Sequence, residues 1–252
     1  MNEGTTLEGS QGVNERSVNS PTTSGGATAW WRLGGALGLA WFVLFFIGGV
    51  ILHGTPLAYD EPIQQAREYF QNNAQAYLVG DYIVRLGFVF GFLPFVAALQ
   101  SRLGATESEP RILSRLIFGA GLATFVVGDA SKFFLNAVAL AGGSPEISDS
   151  TLRTLLYLDS VSIATIGAPA ALLVFAASWL IWTRRALWRW IAVLGAVAGV
   201  LLVLGAAFPL EHRSVGVLFG VRFAGFIALA FFVVASSLNM LFGRGTARAA
   251  TK

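Results

Sequence analysis

A chain of 252 residues that is 55% hydrophobic and only 12% charged, against about 25% charged in soluble domains, lacks the polar surface to stay dissolved; the bilayer must be its solvent. Cysteine is absent, which excludes disulfides, thiolate catalysis, cysteine-ligated zinc and iron–sulfur clusters. The net charge of +3 sits in short loops rather than in a basic stripe interleaved with aromatics, so nucleic acid is not the expected partner.

In chain order, residues 1–28 hold Gly, Ser, Thr, Asn and Glu without an apolar run. They predict a disordered tail ahead of a full spanning segment, unlike the short apolar core of a secretory signal. The first span is expected at about 30–52, since some twenty residues cover a hydrocarbon layer of about 30 Å. Residues 53–75 then look exposed. Asp60 is placed to cap a short helix with Pro62 in its first turn, and Ile63, Ala66 and Phe70 make one apolar stripe. That pattern predicts a helix lying on the membrane surface with Arg67, Glu68 and Gln71 in water. Further spans follow at about 76–99, 112–140, 152–182, 188–208 and 215–242, all within a transmembrane domain of 29–243, and residues 244–252 form a basic tail. The fold class is therefore an all-α, polytopic six-helix transmembrane bundle.

Lysine and arginine give the orientation. One side carries eleven of them (Arg16, Arg32, Arg102, Arg111, Arg115, Arg184, Arg185, Arg189, Arg244, Arg248, Lys252) and the other carries Arg67, Arg153 and Arg213. This asymmetry places both termini in the cytoplasm of a cell whose inner membrane holds the protein. Trp30, Trp31, Trp179, Trp182, Trp188 and Trp190 fall near the same boundary, as belt residues do.

Six ionisable residues lie inside the spans: Asp81 and Arg85 in the second, Asp129 and Lys132 in the third, Asp159 in the fourth and Arg222 in the sixth. Residue counts put them in one layer in the outer half of the membrane, Arg85 deepest. Asp81 and Arg85 are four apart and Asp129 and Lys132 three apart, spacings that let each pair neutralise on its own helix. Asp159 then needs a partner from another helix, with Arg222, Lys132 and Arg85 all candidates. Tyr82, Ser131, Asn136, Ser160, Ser162 and Thr165 are available to complete the hydrogen bonding. The inner half offers Gly, Ala, Val, Leu and Phe, which predicts a dry floor beneath a polar pocket. Balanced ion pairs of this kind either fix helix register or build a binding or proton-transfer site.

Other signals are smaller. Pro94 and Pro169 should bend their helices, and the small-xxx-small spacings at Gly34/Gly38, Gly195/Gly199 and Gly216/Gly220 suit close helix packing. Spans two and four echo each other through Tyr77, Asp81 and Pro94 against Tyr157, Asp159 and Pro169. Basic boundary residues and the usual proline content of membrane helices account for most of this, ahead of a threefold hairpin repeat. His53 and His212 read as solvated rim residues, so no metal and no cofactor are implied. No phosphate loop, HExxH or GxSxG motif occurs.

The RLGG opening of span one, DEPIQQAREYF before span two, LYLDS in span four and LWRWIAVLG at span five resemble a loose group of uncharacterised bacterial six-helix membrane proteins over residues 31–242. The resemblance implies a multi-pass fold and transfers no catalytic residues. Together these readings lead to an outward-facing charged intramembrane pocket that binds or moves a small polar solute or lipid headgroup. An integral membrane enzyme using an intramembrane Asp, or a structural partner of a membrane complex, are the alternatives. The oligomeric state is not legible.

Overall fold

The computed structural model describes residues 24–53, 62–141, 144, 146–211 and 216–243. The described residues are all-α, with no strand, and include six helical segments long and apolar enough to cross a membrane: Gly26–Leu52, Ile63–Gly104, Ile112–Leu140, Asp149–Arg184, Arg189–Ala206 and Val217–Phe242. The protein is a multi-pass membrane protein. Helix α1 (Ser24–Phe46) starts inside the stretch expected as tail. The rest of that tail, Asp60, His212 and the basic C-terminal tail lie outside the described residues.

Unlike a soluble bundle, the helices are apolar on both their inward and outward faces. On α8 (Arg189–Ala206) the outward face is Val193, Val197, Val200 and Leu204, each about half exposed, while Ile191, Gly195, Ala198 and Leu202 face inward. Apolar surface on the outside is stable only against lipid.

Two of the long spans are broken where a proline removes a hydrogen bond, as the sequence predicts. In the second, α2 (Ile63–Gly87) runs into a π-helical turn, Phe88–Phe92, and then α3 (Leu93–Gly104), whose start carries Pro94. In the fourth, α6 (Asp149–Thr165) and α7 (Gly167–Arg184) meet at Ile166, just before Pro169. The third also breaks, without a proline: α4 (Ile112–Ser131) and α5 (Phe133–Leu140) join at Lys132. The first span ends in another π-helical turn, Ile47–Leu52.

These breaks divide the molecule into two tiers. In one, α1, α3, α4, α7, α8 and α9 (Val217–Phe242) form a closed ring around Phe95, Leu99, Ile117, Leu173, Ile181 and Phe232. In the other, the first half of α2 packs on α5 and α6 through Ile63, Phe70, Leu135, Val138, Leu152 and Leu156. The expected surface helix is therefore corrected. Residues 63–104 are one 42-residue helical segment, because QNNAQ contains no Pro or Gly to end it and the stripe Ile63, Ala66, Phe70 continues in register to Tyr77 and Val84. That stripe meets protein, not lipid headgroups. Arg67 likewise turns to α6, donating to the Asp149 carboxylate at 2.8 Å and to the carbonyls of Ser144 and Ile147.

The expected dry floor also needs correction. Arg102 is only 8% exposed; it donates to the Asn239 carbonyl and side-chain oxygens at 3.3 and 3.1 Å and lies over the Trp31 ring. A guanidinium there ties α3 to α9 and α1, and Ser114, Ser178, Ser236 and Ser237 are buried around the same ring of helices.

At the loop before α4, the Glu107 carboxylate accepts the N–H groups of Leu113 and Ser114, both at 2.9 Å, satisfying donors the helix leaves open. Burial acts to raise its carboxyl pKa, but these backbone donors outweigh it and hold the pKa below the usual range. We expect Glu107→Ala to cost about 1 kcal/mol or less, since water reaches the group. With the folded-state value depressed, the contribution is present above the unfolded carboxyl range and fades as pH falls through the folded value. Melting curves of both proteins in detergent should therefore differ at neutral pH and converge in acid.

Candidate functional site

Between the two apolar tiers lies a polar layer, built where the spans break. Asp81 and Arg85 sit on one face of α2, four residues apart, and the Arg85 Nε donates to Asp81 Oδ2 at 2.8 Å. The same Nε lies 3.2 Å from Asp129 Oδ1 on α4. Asn136 on α5 completes the network, its Nδ2 donating to Asp81 Oδ2 at 2.8 Å. One guanidinium thus holds two carboxylates from different spans, and the Phe133 ring, 5.5 Å from its carbon, covers it.

The expected pairing is half right. Asp81–Arg85 forms; Asp129 turns to Arg85 instead of Lys132. Lys132, at the joint of α4 and α5, keeps a right-handed helical backbone (φ −76°, ψ −15°) and donates its N–H to the Asp129 carbonyl at 3.1 Å, so backbone geometry does not account for the choice. Asp129 meets Arg85 because α2 brings that guanidinium to it. Among the described residues, Lys132 makes no ion pair within 4.0 Å, and its charge acts on both His53 and Asp159.

Asp159 on α6 is 7% exposed, and its Oδ1 meets no hydrogen-bond partner among the described residues. The charges that act on it are those of Lys132, Arg222 and Asp81. No ion pair joins it to Arg222 among the described residues, and the Arg222 guanidinium lies over the rings of Phe208 and Phe219 at 4.3 and 4.9 Å. Of the auxiliary groups expected, only Asn136 joins the network. Tyr82 is 62% exposed, and Ser131 and Thr165 donate to carbonyls of their own helices.

Two wall residues were not anticipated as part of the site. Tyr77 is 4% exposed, and its hydroxyl has no partner among the described residues. It stands one turn before Asp81, so Tyr77, Asp81 and Arg85 form a run at four-residue spacing that the sequence does display. His53, expected in the outer loop, stacks on Tyr77 with ring centroids 4.3 Å apart, and the Phe70 and Tyr77 rings meet edge to face at 5.7 Å. Burial, reinforced by Lys132 and opposed by Asp81, pushes the His53 pKa down to about 4, so the ring is uncharged near neutrality. Its Nε2 is also buried without a partner among the described residues.

The position of His53 depends on a close helix crossing. A Cβ on Gly48 would stand 2.4 Å from the Gly80 carbonyl oxygen, and one on Gly80 would stand 2.7 Å from the Gly48 oxygen and 2.9 Å from His53 Cδ2. Only two glycines allow α2 and the end of span one to touch backbone to backbone. Among the described residues there is no group of three His, Asp or Glu side chains that could hold a metal ion.

Compared with known protein families, curated proteins and solved structures, the chain matches none.

Proposed function

We propose that the protein, set in a bacterial inner membrane as in the group it resembles, binds and moves a small polar solute or a lipid headgroup at this polar layer. The observation that carries the reading is a set of buried polar atoms around one ion network that find no partner among the described residues: His53 Nε2, Tyr77 Oη, Asp81 Oδ1, Asn136 Oδ1 and Asp159 Oδ1. Buried polar groups are nearly always satisfied, and such a group in hydrocarbon costs several kcal/mol, about 2 or more. A wet or ligand-filled chamber accounts for all five at once, whereas a purely structural ion-pair brace accounts for none. Transport rather than storage draws support from the broken spans, which resemble the discontinuous helices that line transporter sites.

Asp159 is the carboxylate assigned the working role, because Asp81 and Asp129 are already held by Arg85. Native mass spectrometry of protein released from membranes in mild detergent should show a bound solute or lipid. Asp159→Asn should lose that adduct with little change in melting temperature. Equal retention by the variant would remove the assignment, and early melting that Lys132→Gln restores would show a structural brace instead.

The arginine asymmetry supports cytoplasmic termini and a chamber nearer the outer face. Ser108 and Ser148 are both exposed, at opposite ends of the bundle, and the chain has no cysteine of its own. An impermeant thiol reagent on intact cells should label Ser148→Cys and spare Ser108→Cys; the reverse pattern inverts the topology.

A further inference from the structure

Resting on the reading above, we infer that the ligand is a zwitterion: a molecule, or a lipid headgroup, carrying a primary ammonium and an anionic group a few bonds apart. The open positions in the layer are of two kinds. Three are acceptors, namely Asp159 Oδ1, Asp81 Oδ1 and Asn136 Oδ1. Asp81 is 2% exposed and Asp159 7%, so neither carboxylate is a surface group. The second oxygen of Asp81 is already taken by Arg85 and Asn136, which directs any further donor to Oδ1. An ammonium brings three N–H donors and no acceptor, matching three open acceptors.

Of the remaining positions, His53 Nε2 donates or accepts according to the tautomer of the neutral ring, and the others are donors. Lys132 makes no ion pair within 4.0 Å among the described residues, yet its charge acts on both Asp159 and His53. The Tyr77 hydroxyl, also without a partner among the described residues, stands one turn before Asp81 on α2. A carboxylate or phosphate accepting from Lys132 and Tyr77 would fill this half. The two halves adjoin: Tyr77 and Asp81 are one turn apart on α2, Asn136 donates to Asp81 at 2.8 Å, and the Asn136 N–H donates to the Lys132 carbonyl one turn earlier in its span. Helix α6, which carries Asp159, packs on both helices through Leu156, Tyr77 and Leu135.

Charge balance decides between a zwitterion and a simple ion. The intramembrane layer holds three carboxylates (Asp81, Asp129, Asp159) and three cations (Arg85, Lys132, Arg222). A ligand with net charge would leave one charge uncompensated in low dielectric, whereas a zwitterion adds none.

The test uses the full chain in phosphatidylcholine nanodiscs, whose choline headgroup has no N–H to donate. Titration with alanine, and with its half-molecules ethylamine and propionate, probes a soluble ligand. Doping the discs with phosphatidylethanolamine or phosphatidylglycerol, read by native mass spectrometry, probes a headgroup. We expect one zwitterion, alanine or phosphatidylethanolamine, to bind at least about tenfold tighter than its singly charged counterparts. Asp159→Asn and Lys132→Gln should each weaken it about ten- to hundredfold, the range of a lost charged hydrogen bond, and Lys132→Arg should retain it. Should Lys132→Gln fail to fold, the zwitterion against half-molecule comparison on the unaltered chain decides alone. Ethylamine or propionate binding as tightly as alanine overturns the zwitterion while leaving a polar-solute site standing. Binding of no probe in either arm overturns both.

Discussion

Replacing Arg85 by Gln is expected to destabilise the protein by about 3 to 5 kcal/mol, the cost of stranding a buried charge once its partner is gone. The size follows from the number of groups that depend on this one side chain. Its Nε serves Asp81 at 2.8 Å and Asp129 at 3.2 Å, and among the described residues Asp81 has only the Asn136 amide besides. Asp129→Asn should be milder, since it removes an outer, partly exposed member and leaves Asp81 and Arg85 paired. The triple change Arg85→Gln, Asp81→Asn and Asp129→Asn should recover most of the loss, because an uncharged amide set needs no counter-ion. Thermal unfolding in one detergent ranks all four proteins. Arg85→Gln melting with the unaltered chain would show that water, not Arg85, compensates the carboxylates.

The sequence displayed the parts of this arrangement that are local and concealed those that depend on how helices rotate against each other. Hydropathy located the six spans within a few residues at most boundaries, and four-residue spacing identified the Asp81–Arg85 pair, since both follow from one helix alone. The Arg85–Asp129 bond does not. It requires α2 and α4 to turn these faces together, which no spacing within either helix reports. The long second span was divided in two because QNNAQ is polar; polarity reports where water or protein can solvate a helix, and only backbone chemistry reports where the helix stops. Arg102 was assigned to a loop because an arginine at the end of an apolar run usually reaches for water. Its acceptor, Asn239, lies 137 residues further on, and nothing near Arg102 in the sequence points to it. The polar layer as a layer was legible from residue counts, whereas its wall of His53 and Tyr77 was not.

That wall is the target of the second large effect. Gly80→Val should be strongly destabilising, beyond the 1 to 3 kcal/mol (about) typical of an overpacked core, because the added atoms meet backbone rather than a movable side chain. At Gly80 even a single Cβ would come within 2.7 Å of the Gly48 carbonyl oxygen and 2.9 Å of both Leu52 Cβ and His53 Cδ2. The branched side chain must therefore push the end of span one away from α2. His53 moves with it, which opens the 4.3 Å stack on Tyr77 and admits water or lipid beside Asp81 and Asp159. Stability and binding should consequently fall together in Gly80→Val, while Gly80→Ala, one atom instead of three, should keep the fold and show a smaller loss of both. Gly119 gives the control: a Cβ there meets nothing within 4 Å, so Gly119→Ala should leave melting and ligand retention unchanged. If Gly80→Ala melts and binds as the unaltered chain does, the backbone-to-backbone crossing is not what holds His53 over the polar layer, and the wall must be positioned from elsewhere.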